Sequence, residues 1–241
     1  MYIHEETLAG DTVVIRNHHS SRYRKKGVKR SPNKEKTKEA QEEANKRRDA
    51  WELTIRLNHN FHPGDYYITF TYRVDARPET IEEAKKDRTI LLRRLRRLYK
   101  KNDKEMKFIA VTEYGKKGAM HHHMVLNSDV SIKDIWDCWD KGRVRNEPLD
   151  KIRQYSKLAA YIVKGRKEWK EKGGKGRMWT CSKNLVRPPT KKWIVKASTY
   201  IDNPRDRKNF YVDKESLREG LTTDGYPYQS YVLVRVRGGP P

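Results

Sequence analysis

The sequence is poor in cysteine, in acidic residues and in long apolar runs. Its two cysteines, Cys138 and Cys181, are too few for a disulfide scaffold and form no CxxC pair, which favours a reducing compartment. No apolar run reaches the roughly 18 residues that a membrane-spanning helix requires. The first residues lack the apolar core of a signal peptide, and no GxxxxGKS or GxxxxGKT loop indicates a fused ATPase or helicase. We therefore expect a cytoplasmic protein with no membrane partner.

The shortage of acidic residues leaves a strongly basic chain. The 241 residues include 55 lysines and arginines against 32 aspartates and glutamates, which gives a net charge of +23. Such a balance is typical of proteins that bind polyanions, and nucleic acid is the polyanion we expect. Apolar residues make up 35% of the chain, which is enough for a modest core. A basic packaging protein without an active site stays open as an alternative on composition alone.

Composition and apolar periodicity divide the chain into four segments. Residues 1–34 end in a basic run that holds no acidic residue after position 22, and we expect a mobile basic arm there. Residues 35–62 predict an N-terminal helix whose second half docks on the core. Residues 63–172 hold the predicted core. Residues 173–241 predict a C-terminal extension packed on it, with strands at 193–197 and 231–236 and a short helix at 214–219.

The pattern within the predicted core gives its fold class. Alternating side chains mark strands at 66–74 and 142–147 and a hairpin at 107–127, and apolar stripes mark helices at 78–101, 131–139 and 150–171. The first six elements form a βαββαβ unit. We therefore predict an α+β, ferredoxin-like (RRM-like) fold with an antiparallel sheet, helices on one face and the other face open for nucleic acid.

The densest group of metal-capable side chains lies in the predicted hairpin. Residues 120–126 are MHHHMVL, and in a strand His121 and His123 share one face while His122 points to the other. A turn with two glycines brings Glu113, eight residues before His121, beside this pair. The set leaves coordination positions open and suits Mn²⁺ or Mg²⁺ acting on phosphate oxygens. Non-haem iron oxygenases use the same ligand types, but a strongly basic chain disfavours that class.

These residues resemble the metal site of the HUH endonucleases, in particular the rolling-circle replication initiator (Rep) proteins of phages and plasmids. Residues 67–72 (YITFTY) are similar to the first Rep motif, and residues 161–164 (YIVK) to the third, a helix with a tyrosine and a lysine three residues later. The three motifs follow one another in the Rep order. The middle position of the histidine motif, apolar in the family, is His122 here.

The resemblance implies a metal-dependent single-stranded DNA endonuclease and strand transferase, with Tyr161 as nucleophile and Lys164 beside it. Tyr161 would cut at a replication origin, which can be a hairpin, leaving a 5′-phosphotyrosine and a free 3′-OH before the ends are rejoined. A host helicase and polymerase would then be partners in a bacterial host cell. A phenol has a pKa of about 10, and a neighbouring ammonium favours the phenolate, which explains a lysine one helical turn away.

Several polar and basic residues near these motifs are candidates for contact with DNA. They are Lys116 and Lys117 in the hairpin turn, Thr69 and Thr71 on the open sheet face, and Lys157 in the last helix.

Three alternatives stay open at this point. A relaxase or single-strand transposase would use the same chemistry on a different DNA target. A non-catalytic nucleic-acid-binding regulator would keep the fold without the reaction. Within the nicking reaction, Tyr155 is a rival to Tyr161 as nucleophile, although it falls on the apolar stripe of the predicted helix.

Overall fold

A computed structural model describes residues 1–20, 23, 37–115, 118–174, 177–196, 200, 203–222 and 225–236. The chain forms two compact units. Unit 1 comprises Met1–His59, Gln154–Ala159 and Arg187–Pro241, and unit 2 comprises Asn60–Arg153 and Ala160–Val186. In chain order the elements are β1 (Tyr2–Ala9), β2 (Thr12–His19), α1 (Lys38–Asn60), β3 (Tyr66–Thr71), α2 (Ile81–Lys101), β4 (Phe108–Tyr114), β5 (Met120–Leu126), α3 (Ile132–Trp136), β6 (Val144–Pro148), α4 (Ser156–Ile162), α5 (Arg166–Glu171), β7 (Trp179–Cys181), β8 (Thr190–Val195), β9 (Phe210–Leu221) and β10 (Pro227–Arg235).

Unit 2 contains the predicted ferredoxin-like core. Its five-stranded sheet has the order β6-β3-β5-β4-β7, and every neighbouring pair is antiparallel. The chain order β3-α2-β4-β5-α3-β6 within this sheet is the βαββαβ arrangement, and β7 adds a fifth strand beside β4. The predicted fold class is confirmed.

Helices α2 and α3 cover one face of the unit 2 sheet. Alternate strand residues such as Phe70 and Met124 point to this side and pack with Leu95 of α2 and Ile135 of α3 in one apolar cluster. The hydroxyl of Thr80 caps α2 by accepting a hydrogen bond from the backbone N–H of Glu83, so the helix begins three residues after Pro78, where the sequence predicted its start. The opposite sheet face is left to carry the residues between the core positions.

Unit 1 is built on a second antiparallel sheet, of order β8-β1-β2-β10-β9. Strands β1 and β2 form a hairpin around Gly10, which has a φ of +59°. A Cβ at this position would lie 2.4 Å from the backbone oxygen of Asn58, so both conformation and space require glycine. Valines of β2 and β10 pack against Ile55 of α1, which covers one face of this sheet.

The termini differ from the sequence prediction. The expected arm over 1–34 is wrong for residues 1–20, which form β1 and β2; apart from residue 23, the rest of that segment lies outside the described residues. The expected extension over 173–241 is divided, because β7 joins the unit 2 sheet while β8, β9 and β10 pair in unit 1. Residues 214–219, predicted as a helix, belong to β9, where hydrogen bonds to β10 override local helix propensity.

The predicted helix over 150–171 is interrupted. It forms α4 and α5, separated at residues 163–165, and it begins at Ser156 rather than at Asp150. The carboxylate of Asp150 accepts a hydrogen bond from the backbone N–H of Ile152 in a turn instead of capping a helix. Among the helices of the described ranges, none has both the length and the apolar character required to cross a bilayer.

Candidate metal centre

Strands β4 and β5 position three potential metal ligands on the face of the unit 2 sheet opposite α2 and α3. Glu113 is paired directly with His121, and Val111 is paired with His123, so the three side chains share a face because residues in register point the same way. The link between the strands is closed by a hydrogen bond from the Gly115 N–H to the Ala119 carbonyl. The register predicted from the hairpin is therefore the one that assembles this cluster.

The ligand atoms converge on one point. Oε1 of Glu113 lies 3.1 Å from Nε2 of His121 and 2.9 Å from Nε2 of His123, and the two imidazole nitrogens are 2.9 Å apart. All three side chains are buried or partly buried. Two imidazoles and one carboxylate at these separations can hold a single divalent ion with positions left for other ligands.

The electrostatics of Glu113 fit a bound cation. Burial acts to raise its pKa, but hydrogen bonds to His121 and His123 outweigh that effect and lower the pKa to about 2, so the carboxylate is charged at neutral pH. Its second oxygen, Oε2, is buried and has no hydrogen-bond partner within the described part of the chain. A buried anionic oxygen without a partner is costly unless a cation satisfies it, and a metal ion on these three ligands would do so.

A second set of contacts orients His123. Its Nδ1 lies 2.8 Å from the hydroxyl of Tyr67 and 3.0 Å from the hydroxyl of Thr69, and the Tyr67 ring stacks on the imidazole at 5.3 Å. When Nε2 binds a cation, Nδ1 carries the proton and can donate it to these oxygens. Tyr67 and Thr69 therefore favour the tautomer that presents Nε2 to the centre.

His122 points into the opposite face, as strand alternation predicts. It is fully buried, with Nδ1 2.9 Å from the hydroxyl of Thr112 and Nε2 2.7 Å from the hydroxyl of Tyr72. Burial, assisted by the nearby charge of Arg88, lowers its pKa to about 3 and keeps the ring neutral. Both nitrogens are engaged away from Glu113, so His122 belongs to the packed side of the sheet.

Tyr161 lies beside the cluster, in the last turn of α4. Its ring centre is 5.6 Å from that of His123, and the residue is 39% exposed. The ammonium of Lys164 lies 3.6 Å from the centre of the Tyr161 ring. Tyr155, the rival from the sequence, is buried in unit 1, and its backbone N–H donates to the side chain of Asn58.

The comparisons with known proteins agree with this geometry. Residues 65–166 match a family model that describes a replication-associated protein of the ORF2 type. This segment belongs to that replication-associated protein family. The match is consistent with a rolling-circle Rep, and it includes the three clustered ligands and Tyr161. Neither the curated proteins nor the solved structures gave a match. Membership of this family supports a role that involves nucleic acid.

The residues predicted to contact DNA have different surroundings. Lys116 and Lys117 lie outside the described residues. Thr69 contacts His123, and the hydroxyl of Thr71 donates to the carbonyl of Arg143. Lys157 forms an ion pair with Glu215 in unit 1.

Three residues near the replication-associated site were missed by the sequence analysis. Tyr67 could have been found because it shares strand parity with Thr69, toward His123. Arg145 is paired with Thr69 across β3 and β6, so it projects from the same face; finding it required the strand order. Gly165 lies against Glu113, where a Cβ would meet Oε2 at 3.6 Å, and no local sequence signal indicates this approach.

Proposed function

We propose that this protein initiates rolling-circle replication by nicking single-stranded origin DNA through attack of Tyr161 on a backbone phosphate. The observation that carries the proposal is the position of an exposed phenol beside a buried cluster of one carboxylate and two imidazoles. Because the cluster lies at a sheet face and not in the core, a DNA strand can reach both groups. The family match to replication-associated proteins supports the same role.

Two tyrosines lie near the cluster, and their environments give them different roles. Tyr67 is half-buried, and burial followed by the nearby Tyr161 and Glu113 raises its pKa well above the usual value for a phenol. It therefore stays protonated and orients His123. Tyr161 is solvent-accessible and has a lysine ammonium against its ring, which favours negative charge on the phenol oxygen.

In the proposed reaction the Tyr161 oxygen forms a bond to phosphorus while the bond from phosphorus to the 3′ oxygen breaks. The phenol proton leaves, and the departing 3′ oxygen gains a proton to become a hydroxyl. The 5′ end stays attached to Tyr161. Later attack of a 3′-OH on this phosphotyrosine restores the phosphodiester and the free phenol, so rejoining needs no ATP.

Glu113, His121 and His123 would hold a divalent ion, which we propose is Mn²⁺ or Mg²⁺ from the mixture of carboxylate and imidazole donors. When bound, the ion polarises the scissile phosphate and offsets its developing charge. Lys164, next to Tyr161, would stabilise negative charge on the attacking oxygen.

The open edge strand β6 provides a path for the DNA backbone. Arg143 and Arg145 are both exposed, and Arg145 stands next to Thr69 on the face that carries the ligands. In the free protein Arg145 pairs with Glu147 at 3.0 Å on the surface, an interaction weak enough for a phosphate to replace. We propose that these arginines hold phosphates adjacent to the scissile one.

The reaction also defines partners and a setting. A free 3′-OH is a primer, so a polymerase must extend it. The sequence has no ATP-binding loop, so strand separation requires a helicase from another chain. We propose host enzymes for both tasks, in the cytoplasm of a bacterial cell.

The test is a nicking assay on labelled single-stranded origin oligonucleotides with Mn²⁺. Tyr161→Phe should abolish the covalent protein–DNA product while leaving DNA affinity nearly intact. His121→Ala should abolish cleavage together with its metal dependence. A covalent product that survives Tyr161→Phe would reject the assigned nucleophile, and metal-dependent DNA binding by the wild type without cleavage would favour a non-catalytic regulator.

Target preference separates the related functions. We expect the wild-type protein to cut within the origin of its own replicon. Preferential cutting at the ends of an insertion element would instead identify a single-strand transposase that uses the same residues.

A further inference from the structure

Unit 1 has a net charge that its known elements do not explain. It contains 26 lysines and arginines against 15 aspartates and glutamates, a net charge of +11 out of the total of +23. The family match ends at residue 166 and begins at residue 65, so most of unit 1 lies outside it. Within its described residues, unit 1 has no cluster of potential metal ligands. Its charge therefore points to a binding role, with a polyanion as the complementary partner.

One face of the unit 1 sheet is covered by α1, and the other carries aromatic rings. His4 of β1 is in register with Trp193 of β8, and their rings are 4.5 Å apart. Tyr2 is in register with His19 of β2, and the imidazole of His19 stacks on Tyr226 at 3.5 Å. These five residues form what we call the ring surface.

The outer members of the ring surface are open to solvent. Trp193 is 43% exposed and Tyr226 is 42% exposed. They are carried on opposite sides of the β1–β2 pair, and with about 4.8 Å between neighbouring strands they are separated by roughly 10–15 Å. Lys191 is exposed and, being two residues from Trp193 in the same strand, projects from the same face. Exposed rings with lysine nearby are the features that hold unpaired bases and their phosphates.

A buried hydrogen-bond chain fixes the sheet beneath these rings. The side-chain amide of Asn17 donates to Gln229 at 2.8 Å, and that of Gln229 donates to Glu219 at 2.6 Å. Both amides are buried and have their partners within the sheet. The ring surface is thus held in place before any ligand binds, which lowers the entropic cost of stacking on it.

We propose that the ring surface of unit 1 is a second binding site for single-stranded DNA, at which bases stack on Trp193 and Tyr226. The site shares no residue with the metal cluster, and its binding needs neither metal nor Tyr161. Stacking tolerates every base, so the surface would hold DNA without reading its sequence by hydrogen bonds.

The experiment measures binding of a fluorescent oligothymidylate to the full-length chain by anisotropy, in EDTA and at about 0.3 M salt to weaken phosphate contacts. The double variant Trp193→Ala/Tyr226→Ala should bind at least about tenfold more weakly than the wild type, as expected for the loss of base stacking. Trp193→Phe/Tyr226→Phe should stay within about threefold, because the rings are retained. Trp136→Ala is the matched control, since Trp136 is 42% exposed in α3 of unit 2, and it should have no effect.

The proposal is wrong if the alanine double variant binds within about twofold of the wild type, or if Trp136→Ala causes an equal loss. A measurement on the unaltered protein guards against misfolding of the variants. Ultraviolet crosslinking to the oligothymidylate, mapped by mass spectrometry, should label Trp193 or Tyr226, and labels confined to unit 2 would overturn the proposal. Because no step requires metal or cleavage, failure of the nicking assay would leave these results interpretable.

Discussion

Replacing Tyr67 by phenylalanine is expected to weaken metal binding without removing a ligand. The Tyr67 hydroxyl lies 2.8 Å from Nδ1 of His123, the nitrogen remote from the cluster. Removing it deletes one of the two oxygens that orient the imidazole, while the ring that stacks on His123 remains. The variant therefore isolates one hydrogen bond.

The expected magnitude follows from the number of remaining partners. Loss of an outer partner of a metal-binding histidine costs about 10- to 100-fold in metal affinity. Thr69 still lies 3.0 Å from the same nitrogen, so Tyr67→Phe alone should fall near the lower end, at about tenfold or less. Tyr67→Phe/Thr69→Val removes both oxygens and should approach about 100-fold.

Titration of Mn²⁺ followed by electron paramagnetic resonance measures these affinities directly. Tyr72→Phe is the matched control, because its hydroxyl contacts His122 at 2.7 Å on the other face of the same strand. That variant should bind Mn²⁺ like the wild type, even if its folding stability is lower. Equal Mn²⁺ affinity for the Tyr67→Phe/Thr69→Val variant and the wild type would refute the reasoning, as would an equal loss in Tyr72→Phe.

Three further predictions concern other residues. His122→Ala should still bind one Mn²⁺ per chain, but urea unfolding should show a loss of about 1–3 kcal/mol, because two buried hydroxyl groups lose their partner. Burial and the charge of a nearby arginine lower the pKa of His18 from 6.5 to about 4, so its contribution to stability is complete above pH 6.5 and is lost as pH falls toward 4. His18→Gln should therefore reduce the acid sensitivity of unfolding by up to about 3 kcal/mol, and unchanged pH dependence would contradict this. Arg145→Ala should reduce the salt dependence of DNA binding by about one phosphate contact, whereas Arg97→Ala, on the exposed side of α2, should not.

The metal cluster could be predicted from sequence because its geometry is local. His121 and His123 are separated from His122 by strand parity alone, and a hairpin with a short glycine-containing turn leaves few ways to place Glu113. The position of Tyr161 beside His123 was not fixed by periodicity, since the predicted continuous helix over 150–171 is two helices. The motif order carried that inference instead.

Unit 1 could not be predicted because its contacts join distant parts of the chain. Strand β1 carries Glu5 and Glu6, whose charges resemble a solvated segment, yet Glu5 pairs with Arg16 of β2 and Lys192 of β8. The hairpin had a local signal in Gly10 between two alternating runs. The pairing of β2 with β10, more than 200 residues later, had none, and it decides that the N-terminal segment is sheet.

Mapping the residue that becomes attached to DNA tests the central claim most directly. The wild-type protein, incubated with Mn²⁺ and a single-stranded origin oligonucleotide, would be digested and its DNA-linked peptide sequenced by mass spectrometry. We predict a single linkage through a 5′ phosphate to Tyr161. Linkage to Tyr155 or another residue, or cleavage that leaves no linked peptide, would contradict the account.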